Sequence, residues 1–178
     1  GHGYHVYDSL VRVPLVVAGG PVQRLRSRRL GDQVRQIDIL PTILDLAGLA
    51  DETPAHADGR SLTPLMRGES LPEIPAFIET CQNSREPSSF YGVRYRGWKY
   101  AYDAANAGVP AELYDLSADP EETKNLAATK TANAEEMRRL IEGHVAGMET
   151  AAVTMSDEMS DDEMAGLADH LRKLGYVE

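Results

Sequence analysis

The chain has 178 residues and a formal charge of −10, with 42% apolar and 26% charged side chains. That composition belongs to a globular chain with a packed core, and the length allows one core or a small domain plus part of another, which excludes a disordered tract or a complete large α/β enzyme. The acidic balance argues against a nucleic-acid partner, no apolar run approaches the ~20 residues of a membrane span, and Cys81 alone permits neither an intrachain disulfide nor a cysteine-based zinc site, leaving the compartment undetermined.

The chain opens Gly1-His2-Gly3 without Met, so the natural N-terminus is expected elsewhere. Val11–Ala18 is apolar on both alternating faces apart from Arg12, the pattern of a strand covered on both sides in a parallel or mixed sheet. After Gly19-Gly20-Pro21, the arginines 24, 26, 28 and 29 form a short basic cluster, read as a solvated loop. The segment 34–47 follows and holds a short amphipathic helix packed on the sheet. Asp38 caps it, Pro41 sits in its first turn, Ile39, Leu40, Ile43, Leu44 and Ala47 form its apolar stripe, and Gly48 is its left-handed stop. Asp58-Gly59-Arg60-Ser61-Leu62 reads as a turn leading into a small helix or coil, and a boundary is placed near residue 72.

Beyond it, Ala76–Glu79, Phe90–Tyr95, Trp98–Tyr102 and Glu112–Asp115 are short β-prone runs, with Arg96-Gly97 suited to a tight hairpin. They predict a small antiparallel sheet. Asp119-Pro120-Glu121-Glu122 has the pattern of a capping box for one helical turn. Met137, Leu140, Ile141, Val145 and Met148 then share one face of a helix over 133–148, which is expected to cover the sheet. A last helix is predicted from Ser160 to Gly175. The expected division is therefore 1–72, 73–150 and 151–178, the last an acidic linker with a C-terminal helix.

Few residues carry chemistry by themselves. Cys81-Gln82-Asn83-Ser84-Arg85 invites comparison with a Cys-x-Pro-Ser-x-Arg nucleophile motif, but Asn83 replaces the proline and the arginine directly follows the serine. A small buried hydrophobe is the better reading of Cys81. His2 and His5 lie near the start of the predicted strand, where active-site loops meet α/β sheets; packing, or for His2 a cloning remnant, competes. His56, His144 and His170 have no partner at metal-ligand spacing. Asp38 is read as a helix cap rather than a catalytic acid.

Four segments in order carry a family resemblance. The run from His2 to Leu15, with its His-Gly, Tyr-Asp and Arg-Val-Pro-Leu, resembles a segment of the sulfatases. So do Gln36–Gly48, Asp58–Leu62, and Glu112-Leu113-Tyr114-Asp115-Leu116 with Asp119–Leu126. The resemblance implies a fold of the α/β class: the C-terminal end of an alkaline-phosphatase-like α/β domain, then a small antiparallel sheet packed against a helix. It also implies a formylglycine nucleophile and a calcium ion in the intact enzyme, both held by residues upstream of the counterpart of Gly1, so that this chain binds neither and is inactive by itself. The expected partners are that upstream catalytic half and a sulfate ester. His2 matches the basic residue that contacts the sulfate group. Polar loops at 83–89 and 103–108 would be placed to select substrate. A phosphonate or phosphate ester hydrolase of the same superfamily and a non-catalytic interaction module are the competing readings.

Overall fold

In the computed structural model, residues 6–20, 22, 28–82, 88–158 and 166 are described. The chain forms two compact units, 1–137 and 138–178. The first holds the sheet and three short helices: α1 Asp8–Val11, α2 Ile39–Leu46 and α3 Thr63–Arg67. The sheet strands are β1 Ala76–Gln82, β2 Ser88–Tyr95, β3 Trp98–Asp103 and β4 Glu112–Asp115, antiparallel in that order. Helix α4, Thr131–Glu158, begins in the first unit, where Met137 is buried, and continues through the described part of the second, where Ile141 is buried.

The sheet is the expected one, and local chemistry makes it. Arg96 and Gly97 both take positive φ, 51° and 75°, the pair of left-handed residues that lets a two-residue turn follow the strand twist. That turn fixes the β2–β3 register, with Val93 opposite Tyr100, and Tyr100 in turn opposite Leu113. With Phe77 opposite Val93, these four form one cross-strand row. Val93 and Leu113 are 0% exposed, so this row is the centre of the apolar core. Because side chains alternate, Ile78, Gly92, Arg94, Lys99, Ala101, Glu112 and Tyr114 share the opposite face.

Three local expectations are corrected. The predicted strand at Val11–Ala18 is not formed: Asp8–Val11 is a helical turn, and Arg12–Ala18 runs without strand pairing, Val16 being 82% exposed. A strand exists only through a neighbour's hydrogen bonds, and no described edge pairs with this one. The helix expected after Asp38 forms as α2, with a 3-10 turn, Gln36–Asp38, before it and Gly48 at φ 76° as its stop, but not the packing expected of it. Its apolar stripe does not pack on the sheet; Ile39, Leu40 and Ile43 are exposed, while Pro41 and Thr42 are buried. The capping box at 119–122 gives a turn and no helix. The Asp119 carboxylate accepts from the backbone of Thr123 and Lys124, and Glu122, at φ 55°, points its side chain elsewhere. The helix predicted from Ser160 to Gly175 lies outside the described residues.

Backbone proximity makes one glycine irreplaceable. A Cβ at Gly59 would stand 1.9 Å from the carbonyl oxygen of Ile37 and 2.6 Å from its carbon, and a backbone atom cannot rotate away. Gly59→Ala is expected to destabilise the fold by about 2–3 kcal/mol, within the range for overpacked sites. A urea midpoint equal to wild type would show that the two segments do not touch.

Candidate functional site

The face of the sheet opposite the apolar row receives the segment that follows His2. Gly92 and Ala101 have almost no side chain, which leaves room for Val6; a Cβ on Gly92 would lie 3.3 Å from Val6 Cγ2. Val6 is accordingly buried. One residue on, the Tyr7 hydroxyl donates to Glu112 Oε1 at 3.1 Å, and its ring meets Tyr114 edge-on with centroids 6.3 Å apart. Burial, reinforced by the Glu112 charge, raises the pKa of both Tyr7 and Tyr114. Both phenols therefore remain protonated across the physiological range.

Asp8 completes the attachment. Lys99 Nζ lies 3.0 Å from Asp8 Oδ1 and 2.7 Å from Glu122 Oε1, the latter an ionic contact without good hydrogen-bond geometry. Glu122 also accepts the backbone N–H of Asp8, at 2.6 Å through Oε2, and Arg94 stands 3.6 Å from Asp8 Oδ2. The Lys99 and Glu122 side chains are 2% and 4% exposed. A buried lysine ammonium needs such partners, since an unpaired charge in the interior costs several kcal/mol. None of Asp8, Lys99 and Glu122 stood out as a group in the sequence. The one signal was a lysine between the aromatic residues Trp98 and Tyr100 in a predicted strand.

A second polar cluster joins two of the resemblance segments. The Asp38 carboxylate accepts from the backbone N–H of Arg35 at 2.9 Å and of Arg60 at 3.0 Å, and from the Arg35 guanidinium at 2.9 Å. Burial alone would raise its pKa, but these donors outweigh that and lower it. Asp38 thus closes the 3-10 turn and holds the 58–62 loop; its side chain does not cap α2. Thr42 donates to the Asp38 carbonyl and accepts from the Leu62 N–H at 3.0 Å, while Asp45 takes hydroxyl hydrogen bonds from Ser61 and Thr63. Every carboxylate of this cluster is committed to protein donors.

Of the residues singled out in sequence, His2, His5 and His170 lie outside the described residues, as do arginines 24 and 26. Arg28 and Arg29 are exposed, as a solvated loop requires, and so is His56. His144 is half-buried on α4. Cys81 lies on β1 opposite Ser89. Of the loops expected to select substrate, 83–87 lies outside the described residues, whereas Asp103 is buried and 104–108 is exposed. Among the described residues no group of three or more His, Cys, Asp and Glu could hold a metal ion, and the interior carboxylates face lysine, arginine or backbone donors. The described residues thus do not fit a calcium ion. Nor is any helix among them long and apolar enough to cross a membrane.

Residues 2–151 match the model of the family described as N-sulphoglucosamine sulphohydrolase, C-terminal. The chain belongs to this sulfatase family. Its architecture is accordingly the C-terminal portion of an arylsulfatase-like protein in the alkaline-phosphatase-like superfamily, a mixed α/β chain with a four-stranded antiparallel sheet and accompanying helices. It is 36% identical over 124 residues to the Delta 4,5-hexuronate-2-O-sulfatase of Bacteroides thetaiotaomicron, covering 68% of this chain and 25% of that protein. To the choline-sulfatase of Rhizobium meliloti it is 36% identical over 123 residues, 68% of this chain and 22% of that protein. The Bacteroides fragilis protein yidJ shares the fold alone, with TM-score 0.52 and 20% identity over 61% of this chain and 24% of that one. The sulfatase chain therefore spans about a quarter of the length of the curated relatives it matches.

Proposed function

We propose that this chain is the C-terminal portion of an enzyme that hydrolyses sulfate esters, and that it needs an upstream catalytic half to do so. The family match over 2–151 carries the reading. The surface supports it. Leu10, Val13, Leu15, Val16 and Val17 in one stretch, and Ile37, Ile39, Leu40, Ile43 and Leu49 in another, are all exposed. That much apolar surface is unusual for a self-sufficient domain and suits a face that another part of the same protein covers. Residues 1–72 belong to the catalytic domain, 73–150 form the sheet module and 151–178 the tail.

Within the assembled enzyme His2 contacts the sulfate group. As a cation it offsets the charge that grows on the sulfate oxygens and the leaving oxygen, and when protonated it can hand a proton to the departing alcohol. On this reading His2 acts only in the assembled enzyme, because catalysis of this kind depends on a positioned nucleophile and an electrophilic site together.

The test is release of nitrophenol from nitrophenyl sulfate. The isolated chain is expected to show no turnover above background, and Cys81→Ala to leave that unchanged. The full-length gene product, made together with a formylglycine-generating enzyme, is expected to turn over, and His2→Ala to lower its kcat about 100-fold or more, as loss of one transition-state donor does. Turnover by the isolated chain that disappears with Cys81→Ala would overturn the assignment.

A further inference from the structure

The segment that leads away from His2 is held to the sheet by charged side chains from places far apart in the sequence. Asp8 and Lys99 are 91 residues apart, and Asp8 and Glu122 are 114 apart. We infer that Lys99 is a positioning residue: through Asp8 and Glu122 it fixes the segment Val6–Val11 on the sheet, and turnover in the active enzyme depends on that placement.

Three features separate this from an ordinary surface ion pair. The contact is buried, with Lys99, Glu122 and Asp8 side chains 2%, 4% and 10% exposed, so solvent and salt screen it little. It is directional as well as ionic, since Glu122 grips the backbone N–H of Asp8 and not only a flexible side chain. Glu122 reaches this position from a residue at φ 55°, a conformation uncommon for a non-glycine residue. The remaining attachments, Val6 against Gly92, Tyr7 to Glu112 and the longer Arg94–Asp8 contact at 3.6 Å, act on the same few residues. Immediately after them the chain loses its cover: Val13 and Val16 are 59% and 82% exposed. The sheet therefore grips this part of the chain at one short stretch, and the Tyr7 hydrogen bond and the ion cluster are the parts of that grip with fixed geometry. A hydrophobic contact tolerates sliding, whereas an ammonium between two carboxylates, one of them also bonded to backbone, defines a position.

The inference rests on the sulfatase reading for its catalytic consequence but not for the grip itself, and two measurements separate them. The first is hydrogen–deuterium exchange in the full-length protein over residues 8–12. In that stretch the Asp8 N–H bonds Glu122, and the N–H groups of Leu10, Val11 and Arg12 close the α1 turn. Lys99→Met is expected to speed exchange there at least about 10-fold while leaving β2 and β4 protected. The second is steady-state kinetics on nitrophenyl sulfate well below the melting temperature of each variant. Lys99→Met is expected to lower kcat about 10- to 100-fold, the cost of misplacing a reacting group by an ångström or so, with KM changed less than about 3-fold. Glu122→Gln keeps the shape and one hydrogen bond, so it is expected to show a smaller fall in kcat in the same sense, and it serves if Lys99→Met does not fold.

A lower melting temperature with kcat per folded molecule unchanged would make the cluster merely structural and overturn the inference. So would unchanged exchange over 8–12. If the wild-type full-length protein is inactive on sulfate esters, the sulfatase reading fails, and the exchange result alone still decides whether Lys99 fixes the segment.

Discussion

Replacing Leu113 by aspartate is expected to cost on the order of 4 kcal/mol of stability, enough to unfold much of the population. Leu113 is 0% exposed, in register with Tyr100, and Tyr100 with Val93, so a carboxylate there meets an aromatic and an aliphatic side chain across the strands and no cation. It would either stay charged and unpaired or take up a proton at the expense of stability. Leu140→Asp, which the helical stripe by itself suggests as equally damaging, is expected to cost less, about 1–2 kcal/mol, because Leu140 is half-buried while its neighbour Ile141 is 1% exposed. Urea unfolding of the two variants side by side decides it. Equal midpoints would mean that the core is not centred on the sheet row.

The second large effect is expected at Asp38. Asp38→Ala takes the acceptor from the N–H groups of Arg35 and Arg60 and leaves the Arg35 guanidinium with the Asp58 carbonyl in place of a charged partner, where the carboxylate is 1% exposed. Removing one partner of a buried charged pair typically costs about 3–5 kcal/mol, and a loss of that order is expected here. The pH dependence has a definite sign. Donors from Arg35 and Arg60, outweighing burial, hold the folded-state pKa of Asp38 below its ordinary value. The stability Asp38 contributes is therefore fully present above the unfolded-state value of about 3.9 and is lost as the pH falls through the lower folded value. Urea midpoints from pH 6 down to pH 2.5 are expected to fall less steeply at the acid end for Asp38→Asn than for wild type. Parallel curves would show that Asp38 is not linked to folding through these donors.

What the amino-acid sequence determined is what short-range chemistry determines. Alternation, β-branched and aromatic residues and the Arg96-Gly97 turn specify β1 to β4 and the β2–β3 hairpin, because each hairpin is decided within about twenty residues. The four sulfatase-like segments were likewise legible, and the Asp38, Thr42 and Asp45 contacts give the physical reason two of them occur together: one supplies acceptors for the other's backbone and hydroxyl groups. Tertiary structure decided the rest. Whether Val11–Ala18 becomes a strand, and whether the α2 stripe is buried, depends on neighbours that periodicity cannot name. Asp119–Glu122 has the letters of a capping box, yet Glu122 takes a left-handed conformation and turns to Lys99, since neutralising a buried ammonium outweighs a solvent-exposed cap. The Asp8–Lys99–Glu122 cluster was invisible in one dimension for the same reason: three charges far apart in the chain become one site only when the sheet brings them within hydrogen-bonding reach.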